Sequence, residues 1–243
     1  MQKVVSAKDI KLHVIDAKSA NAFVKRHHYS GKVVPNSQLH FGAFLDGKLH
    51  GVMSFGPSMD KRKVQTLVRD TGWNEFIELN RMAFDDHLPK NSESRCIAIA
   101  MRLLKKHAPQ IKWVISFADG TQCGDGTIYR ASGFVLTDIR PNQNTVQLPS
   151  GEVVHKMTLE SSPLQPRQEL DGKSYYDLTG GKYNLKKYAQ HTGGKVLTGF
   201  QLRYVYFIDQ TYKEKINVNI LPYSRIEEMG ASMYLGKTTL KKD

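Results

Sequence analysis

Phe76-Ile77-Glu78-Leu79-Asn80-Arg81-Met82, then Pro89-Lys90-Asn91-Ser92-Glu93-Ser94-Arg95, then the apolar run from Cys96 to Lys106, then Trp113-Val114-Ile115-Ser116-Phe117 decide how this chain is read. The first piece reads as a strand, the second as a polar loop, the third as a helix, and the fourth as a strand so continuously apolar that both its faces should be buried. A glycine-rich turn, Asp119 to Gly126, leads into a short helix, Thr127 to Ser132, closed by Gly133-Phe134. Strand, helix, strand, helix points to a buried parallel pair at the centre of an α/β domain. Within the long helix, Cys96, Ile99, Ala100 and Leu103 form an apolar stripe flanked by Ile97, Met101 and Leu104, a width suited to packing on a sheet. Lys105, Lys106 and His107 close its last turn and Pro109 stops it.

Upstream, Lys11 to Ile15 reads as a strand and Asp16 as the cap of a helix from Ala17 to about His27. That helix runs into a polar cluster, His27-His28-Tyr29-Ser30-Gly31, although the helix dipole favours histidines there whatever the function. Ser37 to Phe55 reads as a hairpin about the Asp46-Gly47 turn. Met59 to Asp70 is basic and irregular, a solvated loop or one that contacts phosphates through Lys61, Arg62 and Lys63. Downstream, Val135 to Thr137 and Val153 to Leu159 read as strands, with turns at Pro141 to Asn144 and Pro149 to Gly151. Composition shifts at Ser161-Ser162-Pro163, which divides the chain into a core, 1–160, and a C-terminal basic extension, 161–243. The extension begins with a polar lid, 161–199, without a core of its own. A returning strand follows at about 200–209, then a basic tail, Leu235 to Asp243, expected to fray. The fold class is α/β (α+β), a mixed sheet with flanking helices.

The chain has 243 residues, 40% of them apolar, enough for one large domain or a domain of about 150 residues with an extension. A net charge of +12 and a pI near 9.6 call for an acidic partner. No apolar run approaches the roughly 20 residues of a bilayer span, no signal-peptide core opens the chain, and no basic amphipathic helix ties the charge to lipid. Nucleic acid is therefore the expected partner, with no membrane contact and a cytoplasmic location. Cys96 and Cys123 lack CxxC spacing, as in a reduced protein without structural zinc.

The element order over about residues 10–160, ending in Ile128-Tyr129-Arg130-Ala131-Ser132-Gly133-Phe134, resembles the GNAT acyltransferase fold. A narrower likeness spans most of the chain. Leu79-Asn80-Arg81-Met82, Lys90 to Arg95, Ser116-Phe117-Ala118-Asp119 and Gly126-Thr127-Ile128-Tyr129 resemble successive motifs of the phage Mom family. His28-Tyr29-Ser30 and Arg203 to Phe207 resemble its flanks. The resemblance implies a transferase that adds a carbamoylmethyl group to N6 of adenine in double-stranded DNA, shielding phage DNA from restriction in the host cytoplasm. It also implies that Arg81, Asp119, Tyr129 and His28 are active-site residues. Asp119 follows the carboxyl end of an apolar strand, where open α/β sheets place ligands. Arg81 would be its partner, in a pairing that serves architecture as readily as catalysis. Tyr129 is either a half-buried helix aromatic or, as the acyltransferase likeness implies, the proton donor to a departing thiolate.

By the same likeness, the loop before Ser94 is where the pyrophosphate of acetyl-CoA, or another small-group donor, would rest on free N–H groups. Lys90 and Arg95 add charge there, and Asn91, Ser92 and Ser94 are contacts or simple helix caps. Unlike ordinary GNAT loops this one has no glycine, and side chains crowd a close approach by phosphate. The Mom resemblance also raises iron, with His28 and Asp119 as ligands, drawing on His27, His40 and His50; none of these shows HxxxH spacing, though His40 and His50 on opposite hairpin arms could pair. Lys61, Arg62, Lys63, Lys182, Lys186 and Lys187 would grip phosphates, and Tyr183 or Tyr188 would stack on a flipped base. Two rival readings are an N-acetyltransferase acting on a small amine or protein and a non-enzymatic basic DNA-binding protein on the same scaffold.

Overall fold

Strands run over Lys11–Val14 (β1), Leu39–Leu45 (β2), Lys48–Gly56 (β3), Phe76–Phe84 (β4), Trp113–Asp119 (β5), Val135–Gln147 (β6), Val153–His155 (β7) and Lys195–Phe207 (β8). Helices cover Ala17–His27 (α1), Lys61–Gln65 (α2), Ser92–His107 (α3), Thr127–Ala131 (α4), Lys156–Ser161 (α5), Tyr175–Thr179 (α6), Leu185–Thr192 (α7) and Ser224–Glu228 (α8). The computed structural model describes residues 6–122, 124–234 and 237–238, so Cys123 and nearly all of the expected basic tail lie outside the described residues. Among those described, no helix is long and apolar enough to cross a membrane.

The eight strands form one sheet in the order β1-β2-β3-β4-β5-β8-β6-β7. Its one parallel pairing among the described residues joins β4 to β5, connected by α3 as a crossover requires. That pairing covers only Phe76–Glu78 against Trp113–Ile115. Past it the two strands diverge, and at the fork the Ser116 hydroxyl donates to the Leu79 carbonyl at 2.9 Å. A second irregularity sits beside it. Ser54 of β3 faces Arg81 and Phe55 faces Leu79, so Asn80 is an extra residue on β4. Such a bulge bends and twists its strand and turns the following side chain. Fork and bulge together open a wedge at the middle of the sheet.

The layers around the wedge follow from apolar patterning. Cys96, Ile97, Ala100, Met101 and Leu104 of α3 are buried against one face of the sheet. On the other face Val64, Leu67 and Val68 cover Phe76, Trp113, Ile115 and Phe207, with Trp113 stacked on Phe76 at 4.6 Å between centroids. The hairpin turn is as expected: Asp46 and Gly47 have φ of 48° and 77°, the type I′ conformation.

The second half of the chain departs from its sequence reading. β8 lies between β5 and β6, in register from Trp113↔Phe207 to Asp119↔Gln201 on one side and from Val135↔Val205 to Gln147↔Lys195 on the other. A cut at residue 160 would remove a central strand. The segment expected as a polar lid has a core: Leu170, Tyr175 and Tyr188 are fully buried with Val146, Val154 and Leu159. Val153 to Leu159 is not one strand, because the His155 Nδ1 accepts the Met157 N–H at 3.1 Å and starts α5. The turn expected at Pro141 is a bulged stretch of β6. The basic stretch at Lys61 holds a one-turn helix, capped by the Asp60 carboxylate on the Lys63 N–H at 3.3 Å.

Candidate active site

Arg81 emerges from the Asn80 bulge into the wedge. Its Nε donates to the Lys32 carbonyl at 2.9 Å and an Nη to the Asn80 carbonyl at 2.7 Å. Burial works against its charge, while Tyr29, Glu78 and Tyr129 favour it. Glu78 is a carboxylate whose charge acts on Arg81. Main-chain carbonyls fix the guanidinium without neutralising it.

Asp119 ends β5. Its Oδ1 accepts the Thr121 N–H at 3.0 Å and the Asn142 side-chain amide at 3.3 Å, so β6 helps to orient it. Its charge reaches His155, where burial depresses the imidazole pKa, Asp119 opposes that, and Lys32 and Arg81 add to the depression. Asp119, Arg81, Lys32 and His155 therefore share one electrostatic neighbourhood.

His28 follows α1. Burial, and then the Arg81 charge, lower its pKa to about 4, so the ring is neutral at physiological pH. The Ser30 N–H donates to His28 Nδ1 at 3.1 Å, with the Ser30 hydroxyl 2.8 Å from the same atom. Nδ1 is thus the acceptor, which places the proton of the neutral ring on Nε2. Tyr29 lies against the His28 ring at 4.3 Å and is 49% exposed.

Tyr129 is buried on α4, its ring 5.3 Å from both Phe134 and Tyr204. The start of α4 is built for this. Gly126 has φ 75°, and a Cβ there would lie 2.6 Å from the Tyr204 ring. Asp125 accepts from the Thr127 N–H and hydroxyl and pairs with Arg130 at 2.6 Å, tying down the turn.

Glu78 is the functional candidate that sequence reading missed. It is the last β4 residue paired to β5. Burial raises its carboxyl pKa, against the smaller opposing effects of the Ser58 hydroxyl and Arg81. A buried carboxyl with raised pKa beside an arginine is a candidate for proton transfer. The available signal was a glutamate inside a strand expected to be buried. His155 was also missed, because it reads as one residue of a longer strand.

A cavity of about 420 Å³ lies over the start of α3 beside α4, lined by Asn91, Ser94, Arg95, Ala98, Arg102 and Ser132. Asn91, at φ 69°, makes no side-chain capping bond, so the first N–H groups of this 16-residue helix lack a side-chain cap among the described residues. Arg95 has a buried Nε without a partner there, and an Nη donates to the Lys8 carbonyl at 3.4 Å. Arg102 is a cation that sequence reading left out. These donors fit the phosphates of a nucleotide-bearing donor such as acetyl-CoA. Ser92 takes no part: it is fully buried and its hydroxyl donates to the Pro89 carbonyl. Ser94 lines the cavity, its hydroxyl 3.2 Å from the Asn91 carbonyl, while Lys90 is exposed at its edge in sequence.

Other expected residues scatter. Among the described residues, His28 and Asp119 do not fall in a common cluster of three metal-ligating side chains. His40 does not pair with His50: it is buried, with Nδ1 2.8 Å from the Ser54 hydroxyl, while His27 stacks on Phe23 at 4.3 Å. Tyr188 cannot stack on a base, being fully buried with its hydroxyl donating to Glu169 at 2.8 Å. Tyr183 is exposed but stacked on Tyr175 at 5.4 Å, and Lys182, Lys186 and Lys187 are exposed around it. Lys61 lies over the Trp73 ring at 4.6 Å, whereas Arg62 and Lys63 face solvent.

Fold and site define the class: a mixed-sheet α/β protein in which Arg81 acts electrostatically on His28 and His155, with a cavity lined by Arg95 and Arg102 on the crossover helix. The chain belongs to the Mom protein family, whose profile matches residues 9–225. It is 29% identical over 229 residues to the methylcarbamoylase mom of Escherichia phage Mu, covering 90% of this chain and 85% of that protein. Similar solved structures include the spermidine/spermine N-acetyltransferase of Vibrio cholerae, at a TM-score of 0.44 and 8% identity over 86% of this chain and 98% of that one. The ribosomal-protein-S18-alanine N-acetyltransferase of Escherichia coli gives 0.42 and 11% over 82% and 94%.

Proposed function

We propose that this chain is a transferase that places a small, carbamoylmethyl-type group on N6 of adenine in double-stranded DNA, protecting phage DNA from restriction in the host cytoplasm. The observation that supports this reading is the electrostatic coupling of Arg81 to Glu78, Tyr129 and His28, with Asp119 and Arg81 both acting on His155, together with the cavity over α3. Membership of the Mom family supports the choice of acceptor.

The N6 amine is a poor nucleophile, its lone pair delocalised into the ring, and in a duplex it is stacked and paired. Extruding the base costs about a few kcal/mol. Tyr29, exposed beside His28, offers a face for the flipped base, and Lys182, Lys186 and Lys187 hold flanking phosphates. Glu78 takes the proton that the amine loses on forming its new bond to carbon, and Asp119 orients that amine. Arg81, held by two carbonyls, faces the charge developing on the transferred group. The neutral His28 can donate from Nε2 without adding a second full charge. Tyr129 is the proton source for the leaving group.

Asn91, Arg95 and Arg102 would hold the phosphates of a CoA-type donor that carries the group to be transferred on sulfur; the amine nitrogen would bond to the carbon next to sulfur as the carbon–sulfur bond breaks and the thiol leaves. The test is nucleoside mass spectrometry on host DNA after expression of the chain and of Asp119→Ala. A heavier deoxyadenosine only with the intact chain supports the reading and gives the added group by its mass. Equal modification by folded Asp119→Ala removes Asp119 from the chemistry. Unmodified DNA from both, with tight DNA binding, favours the non-enzymatic alternative.

A further inference from the structure

We propose that His50, Asp85 and His87 form a binding site for one divalent transition-metal ion of the zinc class, separate from the wedge. The residues meet at the end of the sheet where β3 begins and β4 has just ended. Gly51 faces Phe84, and the Asp85 N–H donates to the His50 carbonyl at 3.0 Å, so the ladder itself brings their side chains together. The approach depends on Gly51, because a Cβ there would lie 2.3 Å from the Phe84 ring. Asp85 is seven positions along the chain from Glu78, or roughly 20 Å of strand.

Each oxygen of the Asp85 carboxylate faces an imidazole. Oδ2 is 2.9 Å from His50 Nδ1, and Oδ1 is 3.5 Å from His87 Nδ1 while accepting the His87 N–H at 3.0 Å. The two rings are 5.3 Å apart at 36°, and one ligand atom from each residue lies within 4.8 Å of the others. An ion about 2.0–2.2 Å from each of three such atoms needs them roughly 3–3.5 Å apart. His50 and His87 face different oxygens of Asp85, at 2.9 and 3.5 Å, so a shared ion is reached by turning the exposed His87 ring toward the oxygen that His50 faces.

The side chains of His50 and Asp85 are only 15% and 14% exposed and form the fixed half of the site. That of His87 is 77% exposed and forms the open half, which admits the ion and leaves further positions to water. Two imidazoles with one carboxylate favour zinc, cobalt or nickel over magnesium and calcium, which prefer all-oxygen shells. A bound ion would clip the start of β3 to the end of β4, replacing the proton between His50 and Asp85.

The test uses the full chain without an affinity tag, stripped by chelator. Cobalt(II) is titrated and followed by its visible absorption, and zinc by calorimetry and thermal unfolding. We expect one equivalent of each to bind, with a rise in the unfolding midpoint on adding zinc. His87→Ala, at the exposed ligand, should weaken binding at least tenfold and leave the midpoint of the metal-free protein unchanged. Asp85→Asn should weaken it further. Absence of one-to-one binding overturns the proposal. So does unaltered affinity in His87→Ala, which would place the ion on other histidines.

Discussion

Arg81 acts on His28: the guanidinium charge adds to burial in keeping the imidazole neutral down to about pH 4. The effect on stability has a definite sign. An unfolded chain protonates His28 near its ordinary value of 6.5, whereas the folded chain resists until about 4. Between those values the unfolded state binds more protons, so stability falls as pH drops from 6.5 toward 4. His155 and His40, also depressed first by burial, add in the same direction. His28→Gln should flatten this slope, by up to about 3 kcal/mol over the window. Urea unfolding at pH 4.5 and 7 measures it, and an unchanged slope in the variant would show that His28 titrates normally.

Glu78→Gln should lower modification by about 10² or more, the usual loss on removing a general base, while the chain stays folded. The substitution keeps size and removes a carboxyl that burial already disfavours in its charged form. Modified deoxyadenosine per hour, beside a circular dichroism spectrum, separates lost chemistry from lost fold. Near-normal turnover would pass the base role to Asp119.

Arg102→Ala and Arg95→Ala should weaken binding of a CoA-type donor several-fold each, since both line the cavity over α3. Ser92→Ala should spare donor binding and cost about 1 kcal/mol of stability, because it removes only a buried bond to Pro89. Calorimetric titration with CoA, paired with thermal unfolding, distinguishes the two outcomes. A donor-binding defect in Ser92→Ala would mean that the loop opens on binding.

Lys186→Ala with Lys187→Ala should weaken DNA binding across sequences and reduce the slope of log affinity against log salt by about 1 for each phosphate no longer neutralised. Tyr188→Phe should leave affinity intact and lower stability by about 1 kcal/mol, through loss of its bond to Glu169. Fluorescence anisotropy on a duplex across a salt series reads DNA affinity for both variants, and thermal unfolding reads the stability of Tyr188→Phe. A changed slope in Tyr188→Phe would contradict its burial.

The elements around the wedge were legible because their signals are local. Continuous hydrophobicity marks β5, a 3.6-residue apolar stripe marks α3, and Asp46-Gly47 marks the hairpin turn. The same locality places Asp119 at a strand end and Tyr129 on a one-turn helix. Residue type along the chain suffices for such features because the backbone period alone decides which side chains share a face.

Tertiary structure decided the rest. Nothing in Lys195–Phe207 by itself states that it runs between β5 and β6, since strand partners are chosen by surfaces distant in sequence. The Asn80 bulge exists only in the register of β4 against β3, and it is what turns Arg81 into the wedge. Tyr188 has the basic, aromatic surroundings of a nucleic-acid contact and is nevertheless core, because Tyr175, Leu170 and Leu159 close over it. Glu78 becomes notable only through burial at the fork, where the desolvation that sets its acidity comes from strands elsewhere in the chain. Periodicity is written residue by residue, whereas burial and charge proximity depend on contacts made across the fold.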